Sequence, residues 1–212
     1  MSNEEIYIRH HKERKKEGKA LLKNERGAFL RHAIGTGKKV LDIGCRDGAL
    51  TREYSTGNKV LGVDIDPGAL EEAKRNLSID TFKMDLCGEW NLPEKNFDAV
   101  VAGEVLEHLY YPKYIIKEVC RFLSDDGIFV GSVPNAFSLA NRIRLFFGMK
   151  EKTPLSDPTH INHFKYSELK SILKEGFKEV SIIPLGKFTF LDKIFPGYFS
   201  YMLLFKASKP RR

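Results

Sequence analysis

The sequence contains few cysteines, and the three that it has lie far apart. Cys45, Cys87 and Cys120 are odd in number and form no C-x-x-C pair, so disulfide bonds and a zinc site built from cysteine are not expected. No apolar stretch reaches the ~18 residues that a membrane-spanning helix needs, and no apolar segment near the N-terminus is typical of a signal peptide. These absences predict a cytoplasmic protein.

The sequence also lacks the G-x-G-x-x-G pattern, whose glycines make room for a pyrophosphate, and this disfavours a nicotinamide dehydrogenase. Instead, residues 40–50 read as an apolar strand followed by a turn that contains Gly44 and Gly48. A second apolar run ends at Asp64, 22 residues after Asp42. A strand, a glycine-containing turn and an acidic residue at the end of the next strand are typical of a βαβ unit that binds an adenosine.

Acidic residues are outnumbered mainly in the N-terminal part of the chain. Residues 1–39 hold 11 Lys and Arg against 5 Asp and Glu, whereas the remainder holds 24 against 23. The basic cluster, residues 9–16, could meet phosphates or an anionic membrane. Acids interrupt it, however, and no aromatic ladder for stacking bases accompanies it. We therefore expect a solvated helix, and a nucleic-acid partner is less favoured than a small molecule.

The periodicity of apolar residues predicts a helical N-terminal arm over residues 1–34 and a main domain over 35–212. Strands are predicted over 39–43, 59–64, 79–83, 97–102, 127–133, 177–183 and 199–206, and helices over 4–34, 48–56, 67–77, 112–123 and 167–175. Strands that alternate with helices indicate an α/β fold with a doubly wound, mostly parallel sheet.

Two segments depart from this alternation. Residues 134–164 are too many for an ordinary strand-to-helix connection and predict an insertion, which would shape a substrate pocket or act as a lid at the carboxyl edge of the sheet. Its apolar residues Ile143, Phe146 and Phe147 are expected to pack over the ends of the fourth and fifth strands. The second segment, 184–198, is rich in aromatic residues, for which core packing is favoured over a pocket wall.

Five ordered segments resemble motifs of the class I S-adenosylmethionine-dependent methyltransferases: Asp42–Gly48, Gly62–Asp64, Met84–Leu86, Phe97–His108 and Leu123–Phe129. Within that superfamily the chain resembles the ubiquinone-biosynthesis-like O-methyltransferases and the methionine-biosynthesis-linked methyltransferase-like proteins. Arg46 departs from the pattern, because many members carry a glycine there. The resemblance implies a seven-stranded sheet whose strand 199–206 is antiparallel, with S-adenosylmethionine as the cofactor.

The resemblance also implies a set of cofactor-binding residues. Asp42 is expected to take the amino group of the cofactor, directly or through water, and Asp64 to bind the ribose hydroxyls. Asp85 would accept a hydrogen bond from the adenine amino group. The other members of the set provide close backbone approach or pack against the cofactor: Gly44, Gly48, Ile65, Met84 and Glu104.

Candidate catalytic residues are His108, which follows the predicted fourth strand, and His160 and His163 at the end of the insertion. If a helical turn forms after that strand, Glu104 shares a face with His108, and Glu107 lies beside them. In one interpretation His108 is a general base or a methionyl-side contact, and a later histidine orients the acceptor.

Two other interpretations use the same residues. In the first, Glu104, Glu107 and His108 join a histidine of 160–163 around a divalent metal, an arrangement similar to that of the metal-dependent small-RNA 2′-O-methyltransferases. In the second, these polar groups line the rim of a pocket and bond one another.

The expected function is methyl transfer to an oxygen of a small, aromatic or lipidic acceptor, without a bound metal. Because transfer from a sulfonium depends mainly on alignment, most activity is expected to survive a chelator. The alternatives are a cofactor-binding partner or regulator with little turnover, and a metal-assisted methyltransferase that acts on RNA ribose.

Overall fold

A computed structural model describes residues 3–13 and 20–211 of the chain. The helices are α1 (Asn3–Glu13), α2 (Lys23–Ile34), α3 (Arg52–Ser55), α4 (Pro67–Leu77), α5 (Pro112–Phe122), α6 (Leu139–Phe146) and α7 (Tyr166–Gly176). The strands are β1 (Lys39–Ile43), β2 (Lys59–Asp64), β3 (Asp80–Lys83), β4 (Phe97–Gly103), β5 (Leu123–Pro134), β6 (Phe177–Leu185) and β7 (Met202–Pro210).

The seven strands form one sheet in the order β3-β2-β1-β4-β5-β7-β6. Strand β7 is antiparallel to both of its neighbours, and the other pairings are parallel. Strand β6 therefore runs in the same direction as β5, and the carboxyl ends of the first six strands meet at one edge. The predicted doubly wound, mostly parallel sheet is confirmed.

Helices cover both faces of the sheet because its strands are apolar on both sides. On one face, Leu30 of α2 and Ala73 of α4 pack with Val40 and Val60. On the other face, α5 and α7 pack against the strands through residues such as Val119. The turns at the carboxyl edge are thus held on a rigid support.

The N-terminal arm differs from the single helix that the sequence predicted. Residues 20–22 are not helical, and Leu22 has a φ of 50°, a left-handed conformation that ends a regular helix. Helices α1 and α2 are therefore separate. Residues 14–16 of the basic cluster 9–16 lie outside the described residues. The predicted helix 48–56 is reduced to α3, and the last strand ends later than predicted.

The insertion contains α6 and two 3₁₀ turns, Lys150–Lys152 and Pro154–Ser156. The expectation that its apolar side chains pack over the strand ends was wrong: Ile143, Phe146 and Phe147 are 50%, 85% and 66% exposed. The buried residue of α6 is Asn141, whose side-chain amide donates to the carbonyl of Asn135. A polar anchor, and not the apolar face, therefore fixes the orientation of this helix.

The aromatic segment near the C-terminus also differs from the prediction of core packing. Its side chains Phe188, Phe190, Phe195 and Tyr198 are exposed. Its backbone is bonded from the protein side by the buried side chain of Asn135. Among the described residues, no helix is long and apolar enough to cross a membrane.

Candidate active site

A cavity of 860 Å³ lies at the carboxyl edge of the sheet, in the upper part of the range of roughly 300–1,000 Å³ that is typical of small-molecule sites. The turns that follow β1, β2, β3 and β4 form one wall of the cavity. Residues of α1, residues 20–21 and residues 158–161 close it from the other side. Segments from distant parts of the chain therefore share one site.

Asp64, at the end of β2, is a buried residue of the cavity wall. One carboxylate oxygen accepts the backbone N–H of Arg46 at 2.8 Å, and the other accepts that of Asp66 at 3.0 Å. Burial raises the pKa of this carboxyl, and the two backbone donors oppose that shift. The residue thus joins the turns after β1 and β2 and keeps acceptor capacity for hydroxyl donors of a ligand.

The turn after β1 reaches the cavity through Gly44 and Arg46. Gly44 has a φ of 69°, and a Cβ there would lie 2.5 Å from the Val105 side chain, so the fold itself requires glycine. Its N–H donates to Val63 and is therefore occupied within the protein. Arg46 has a φ of 51°, a region that glycine adopts more readily, which accounts for the glycine that many family members carry there.

Two residues predicted to bind the cofactor do not line the cavity. Asp42 is buried, and its Oδ2 accepts from the hydroxyls of Thr51 and Tyr54 at 2.6 and 2.7 Å. This position does not support direct contact with a ligand, and contact through water stays a prediction. Burial raises the pKa of Asp42 to about 6. Gly48 was predicted for the wrong reason: a Cβ there would lie 2.5 Å from Leu77, so it serves the packing of α4.

Ile65, Met84 and Asp85, which the sequence assigned to the cofactor, line the cavity, and their contact with adenine stays a prediction. One oxygen of Asp85 accepts the backbone N–H of Cys87 at 2.9 Å, which stabilises the turn after β3. The carboxylate therefore has a structural role as well as a position at the site.

A charged pair that the sequence did not predict lies in the cavity wall. Arg26 of α2 is only 2% exposed, and its guanidinium donates to Glu104 at 2.9 Å and to the carbonyl of Leu21. Within the part of the chain that the structure describes, its Nε has no hydrogen-bond partner. The sequence did contain a sign of this burial. Arg26 lies one helical turn before Leu30 and two turns before Ile34, on the apolar face of α2 that packs against the protein.

Glu104 does not share a helical face with His108, and this prediction was wrong. Its φ of 63° turns the chain sharply after β4, and a 3₁₀ turn begins only at Leu106. The geometry directs Glu104 to Arg26 and separates it from the histidines.

Glu107, His108 and His160 form a cluster in which one ligand atom from each lies within 4.8 Å of the others. Glu107 is only 2% exposed, and neither carboxylate oxygen has a hydrogen-bond partner among the described residues. Burial, and then the charge of Glu104, raise its pKa well above the ordinary value. An unpaired buried carboxylate is costly and is relieved by a proton or by a cation.

The two imidazoles of the cluster are oriented by backbone carbonyls. Nδ1 of His108 lies 2.9 Å from the carbonyl of Thr159, and Nδ1 of His160 lies 2.9 Å from that of Pro154. A carbonyl only accepts, so Nδ1 donates its hydrogen in each ring, and Nε2 is the nitrogen left to take a proton or a cation. Nε2 of His160 lies 3.6 Å from a carboxylate oxygen of Asp157. Both rings are therefore suited to accept a proton or to bind a metal.

The end of the insertion is attached to the turn after β4 by its backbone. The N–H groups of Ile161 and Asn162 both donate to the carbonyl of Glu107 at 2.8 Å, and the side chain of Asn162 bonds the carbonyl of Leu109. These bonds bring His160 to the cluster from more than 50 positions away.

His163, the third predicted catalytic histidine, does not line the cavity. Its ring centroid is 6.5 Å from that of His160, and its buried Nε2 has no hydrogen-bond partner. Burial, with His160 and Lys150 nearby, lowers its pKa. The structure therefore places His163 behind His160 and away from the site.

Helix α1 contributes to the closed side of the cavity. The hydroxyl of Tyr7 donates to the backbone carbonyl of His108 at 2.9 Å, and the two rings meet edge to face with centroids 5.8 Å apart. Ile6 and Leu21 add apolar surface. The arm is thus a part of the site.

Comparison with known proteins agrees with this geometry. A family model described as "Methyltransferase domain" matches residues 10–181, and the chain belongs to this family. The resemblance to S-adenosylmethionine-dependent methyltransferases that the motifs indicated is thus confirmed, and S-adenosylmethionine is the cofactor of that family.

Similar proteins include a probable S-adenosylmethionine-dependent methyltransferase of Mycolicibacterium smegmatis, 28% identical over 145 residues, with 68% of this chain and 53% of the relative covered. A mitochondrial ubiquinone biosynthesis O-methyltransferase of Schizosaccharomyces pombe is 29% identical over 177 residues, with 76% of this chain and 64% of the relative covered. In both cases the match spans less than two thirds of the relative.

The fold is shared with solved structures. A methyltransferase of Archaeoglobus fulgidus that depends on S-adenosylmethionine superimposes with a TM-score of 0.67 at 21% identity and covers 96% of this chain and 99% of its own. A TehB-like methyltransferase of Corynebacterium glutamicum gives a TM-score of 0.61 at 19% identity, with 97% of each chain covered.

Proposed function

We propose that the protein transfers a methyl group from S-adenosylmethionine to an oxygen of a small, aromatic or lipidic acceptor. The observation that carries this proposal is the pair of imidazoles, His108 and His160, in the cavity wall beside the end of β4. A hydroxyl acceptor must lose a proton, and a base with a pKa near neutrality is suited to take it. The similarity to proteins named as O-methyltransferases supports the same class of acceptor.

In this proposal the cofactor lies against the sheet side of the cavity. Asp64 accepts from the ribose hydroxyls, Ile65 and Met84 pack against the adenine, and Asp85 accepts from its amino group. This proposal is supported by the cavity wall, in which the side chains of Ile65 and Met84 lie with the carboxylates of Asp64 and Asp85. When bound, the cofactor supplies an electrophilic methyl group on a positively charged sulfur.

Arg26 and Glu104 complete the cofactor site. The amino-acid end of S-adenosylmethionine carries one negative and one positive group, and this pair presents the complementary charges within 2.9 Å of each other. The Nε of Arg26 is buried without a protein partner, and a carboxylate is a suitable acceptor for such a donor.

His108 takes the proton of the acceptor hydroxyl. Its Nδ1–H is held by the carbonyl of Thr159, so Nε2 is the basic nitrogen, and His160 is oriented in the same way beside it. Leu21, Tyr110 and Ile161 add apolar surface to this side of the cavity, which suits an aromatic ring or a lipid chain.

The test is transfer of labelled methyl groups from S-adenosylmethionine to a matched panel of phenols, catechols, aliphatic alcohols and amines. We expect labelled products from the hydroxyl acceptors. Methylation confined to amines or carbon would contradict the proposal. Tight cofactor binding without turnover across the panel would favour a binding partner or regulator.

A metal-assisted form of the same reaction is a second candidate, favoured by Glu107. Two imidazoles and one carboxylate form a ligand set that first-row divalent ions accept. A cation there would relieve the unpaired carboxylate and would lower the pKa of a bound acceptor hydroxyl. RNA ribose would be one such acceptor.

Dialysis against a chelator separates the two forms. The metal-free form predicts that most activity remains, as the sequence led us to expect. Complete loss of activity, restored by Mg²⁺ or Mn²⁺ in the wild type and not in Glu107→Gln, would establish the metal-assisted form.

A further inference from the structure

Two segments at the carboxyl edge of the sheet expose a group of large apolar side chains, which we call the aromatic patch. Its members are Leu139, Ile143, Phe146, Phe147, Phe188, Phe190, Ile194, Phe195 and Tyr198. The first four lie at positions i, i+4, i+7 and i+8 of α6 and its end, which is one face of a helix. Phe146 is 85% exposed and Ile194 is 71% exposed. Apolar patches of this kind mark interaction surfaces.

The two segments of the patch are in contact. The backbone N–H of Leu139 donates to the carbonyl of Tyr198 at 2.7 Å. The guanidinium of Arg142 lies 5.3 Å from the centre of the Tyr198 ring, and that ring packs edge to face against Phe195. The start of α6 and the end of the second segment therefore form one continuous surface.

The backbone beneath the patch is anchored by buried polar side chains. The amide of Asn135 donates to the carbonyls of Gly197 and Ser200 at 2.6 and 2.8 Å. A carboxylate oxygen of Asp192 accepts the N–H of Phe199. The fold therefore holds these segments from below while their apolar side chains face outward.

Charge identifies the kind of partner. Residues 139–152 and 187–198, all of them described, carry one exposed acid, Glu151, because Asp192 is buried. They carry six exposed cations: Arg142, Arg144, Lys150, Lys152, Lys187 and Lys193. Lysine is depleted at the core of protein interfaces, whereas phenylalanine and leucine beside lysine and arginine are typical of surfaces that bind anionic membranes.

The patch lies at the same edge of the sheet as the cavity. The segments follow β5 and β6, which run parallel to β1–β4, so their connections leave at the carboxyl edge. The cavity lies over β1–β4, and the patch lies over the β5-β7-β6 half. A surface that binds the patch therefore meets the face of the molecule that carries the active site.

We propose that the aromatic patch binds the surface of an anionic lipid bilayer. Its aromatic side chains enter the headgroup region, and its lysines and arginines contact the anionic headgroups. The proposal does not depend on which acceptor is methylated, because it concerns a surface outside the cavity.

The test is co-sedimentation of the full chain with vesicles of phosphatidylcholine, or of phosphatidylcholine mixed equally with phosphatidylglycerol. We expect binding to the mixed vesicles that weakens with added salt, because salt screens surface charge. In Phe146→Ser/Phe147→Ser, binding should fall by at least about 10-fold. Tyr111→Ser is the matched control, because Tyr111 is an exposed aromatic residue that belongs to neither segment of the patch, and its binding should equal that of the wild type.

Three results would overturn the proposal. The first is wild-type protein that binds neither kind of vesicle. The second is a double variant that binds as well as the wild type. The third is self-association of the wild type that the double variant abolishes while lipid binding is absent, which would assign the patch to a second copy of the chain. S-adenosylmethionine binding, measured in parallel, shows that each variant is folded and tests the proposed function separately.

Discussion

The two walls of the cavity are built in different ways. The cofactor wall comes from turns close together in sequence, from Gly44 to Leu86, which successive parallel strands place side by side. The histidine wall joins His108 to residues 158–161, and it is closed by α1 from the start of the described chain. The first wall follows from local chain geometry, whereas the second exists only when distant segments pack together.

A buried carboxylate lies at each wall, and the two carboxylates differ in their hydrogen-bond partners. Asp64 accepts two backbone N–H groups, whereas neither oxygen of Glu107 has a hydrogen-bond partner in residues 3–13 and 20–211. Burial raises the pKa of both, more strongly for Glu107. Asp64 is thus already stabilised as an acceptor for a ligand, while Glu107 still requires a proton or a cation.

The largest expected effect is on the histidine wall. His108→Asn should lower kcat by about 10²–10⁴-fold, because the base for the acceptor hydroxyl is lost, and should leave cofactor affinity within a few fold. His163→Asn is the matched control and should change kcat little, because His163 does not line the cavity. Steady-state rates and calorimetric titration measure both effects. Equal losses in the two variants would mean that the histidines act through structure alone.

The next effect concerns the cofactor wall. Asp64→Ala should weaken S-adenosylmethionine binding by roughly 10- to 100-fold, since a charged acceptor of the ribose is removed. It should also lower the free energy of unfolding by about 1–3 kcal/mol, because two buried N–H groups lose their acceptor. Calorimetry and denaturant unfolding report the two quantities. Unchanged affinity in a folded variant would refute the ribose assignment.

Glu107→Gln tests the unpaired carboxylate. The pKa of Glu107 in the folded protein lies above the ordinary 4.5, so the folded protein binds more protons than the unfolded chain above that pH. The carboxyl of Glu107 therefore lowers the free energy of unfolding as pH rises from 4.5. The variant should therefore be more stable than the wild type by at least about 1 kcal/mol near pH 8, and the difference should vanish near about pH 4. Added Mg²⁺ or Mn²⁺ that stabilises only the wild type would show a bound cation instead.

The smallest effect is expected at the aromatic patch. Phe146→Ser/Phe147→Ser should change the free energy of unfolding by less than about 0.5 kcal/mol, because both side chains are already exposed. Denaturant unfolding of the double variant beside the wild type measures this. A larger loss would mean that α6 packs as the sequence led us to expect, with these rings covered.

The cofactor wall could be predicted because its requirements are local. A strand, a turn and an acid at the end of the next strand recur in order, and the structure brings Gly44 and Asp64 together at the cavity. That these residues bind the cofactor stays a prediction. The same reasoning failed at Glu104, because a left-handed φ changed the direction of the chain and removed the helical spacing to His108.

The orientation of the insertion and the histidine wall could not be predicted in this way, because they depend on which distant groups meet in the fold. The apolar face of α6 was visible in the sequence, but the burial of Asn141 against Asn135 decided which side of the helix faces the protein. His160 reaches His108 through backbone bonds, which leave little trace in residue type. Arg26 was the exception, since a charge among apolar positions of a helix was a readable signal.

The attachment of the insertion to Glu107 has a consequence for how this protein can change over generations. Both bonds from Ile161 and Asn162 join main-chain atoms, so they place little restriction on the side chains that the segment carries. Substitutions among the exposed residues of 139–152 can therefore accumulate while the anchoring point survives. The segment that carries the aromatic patch can thus be exchanged, in a lineage or in chimaeras that a protein engineer makes between relatives, without rebuilding the cavity wall from Gly44 to Leu86.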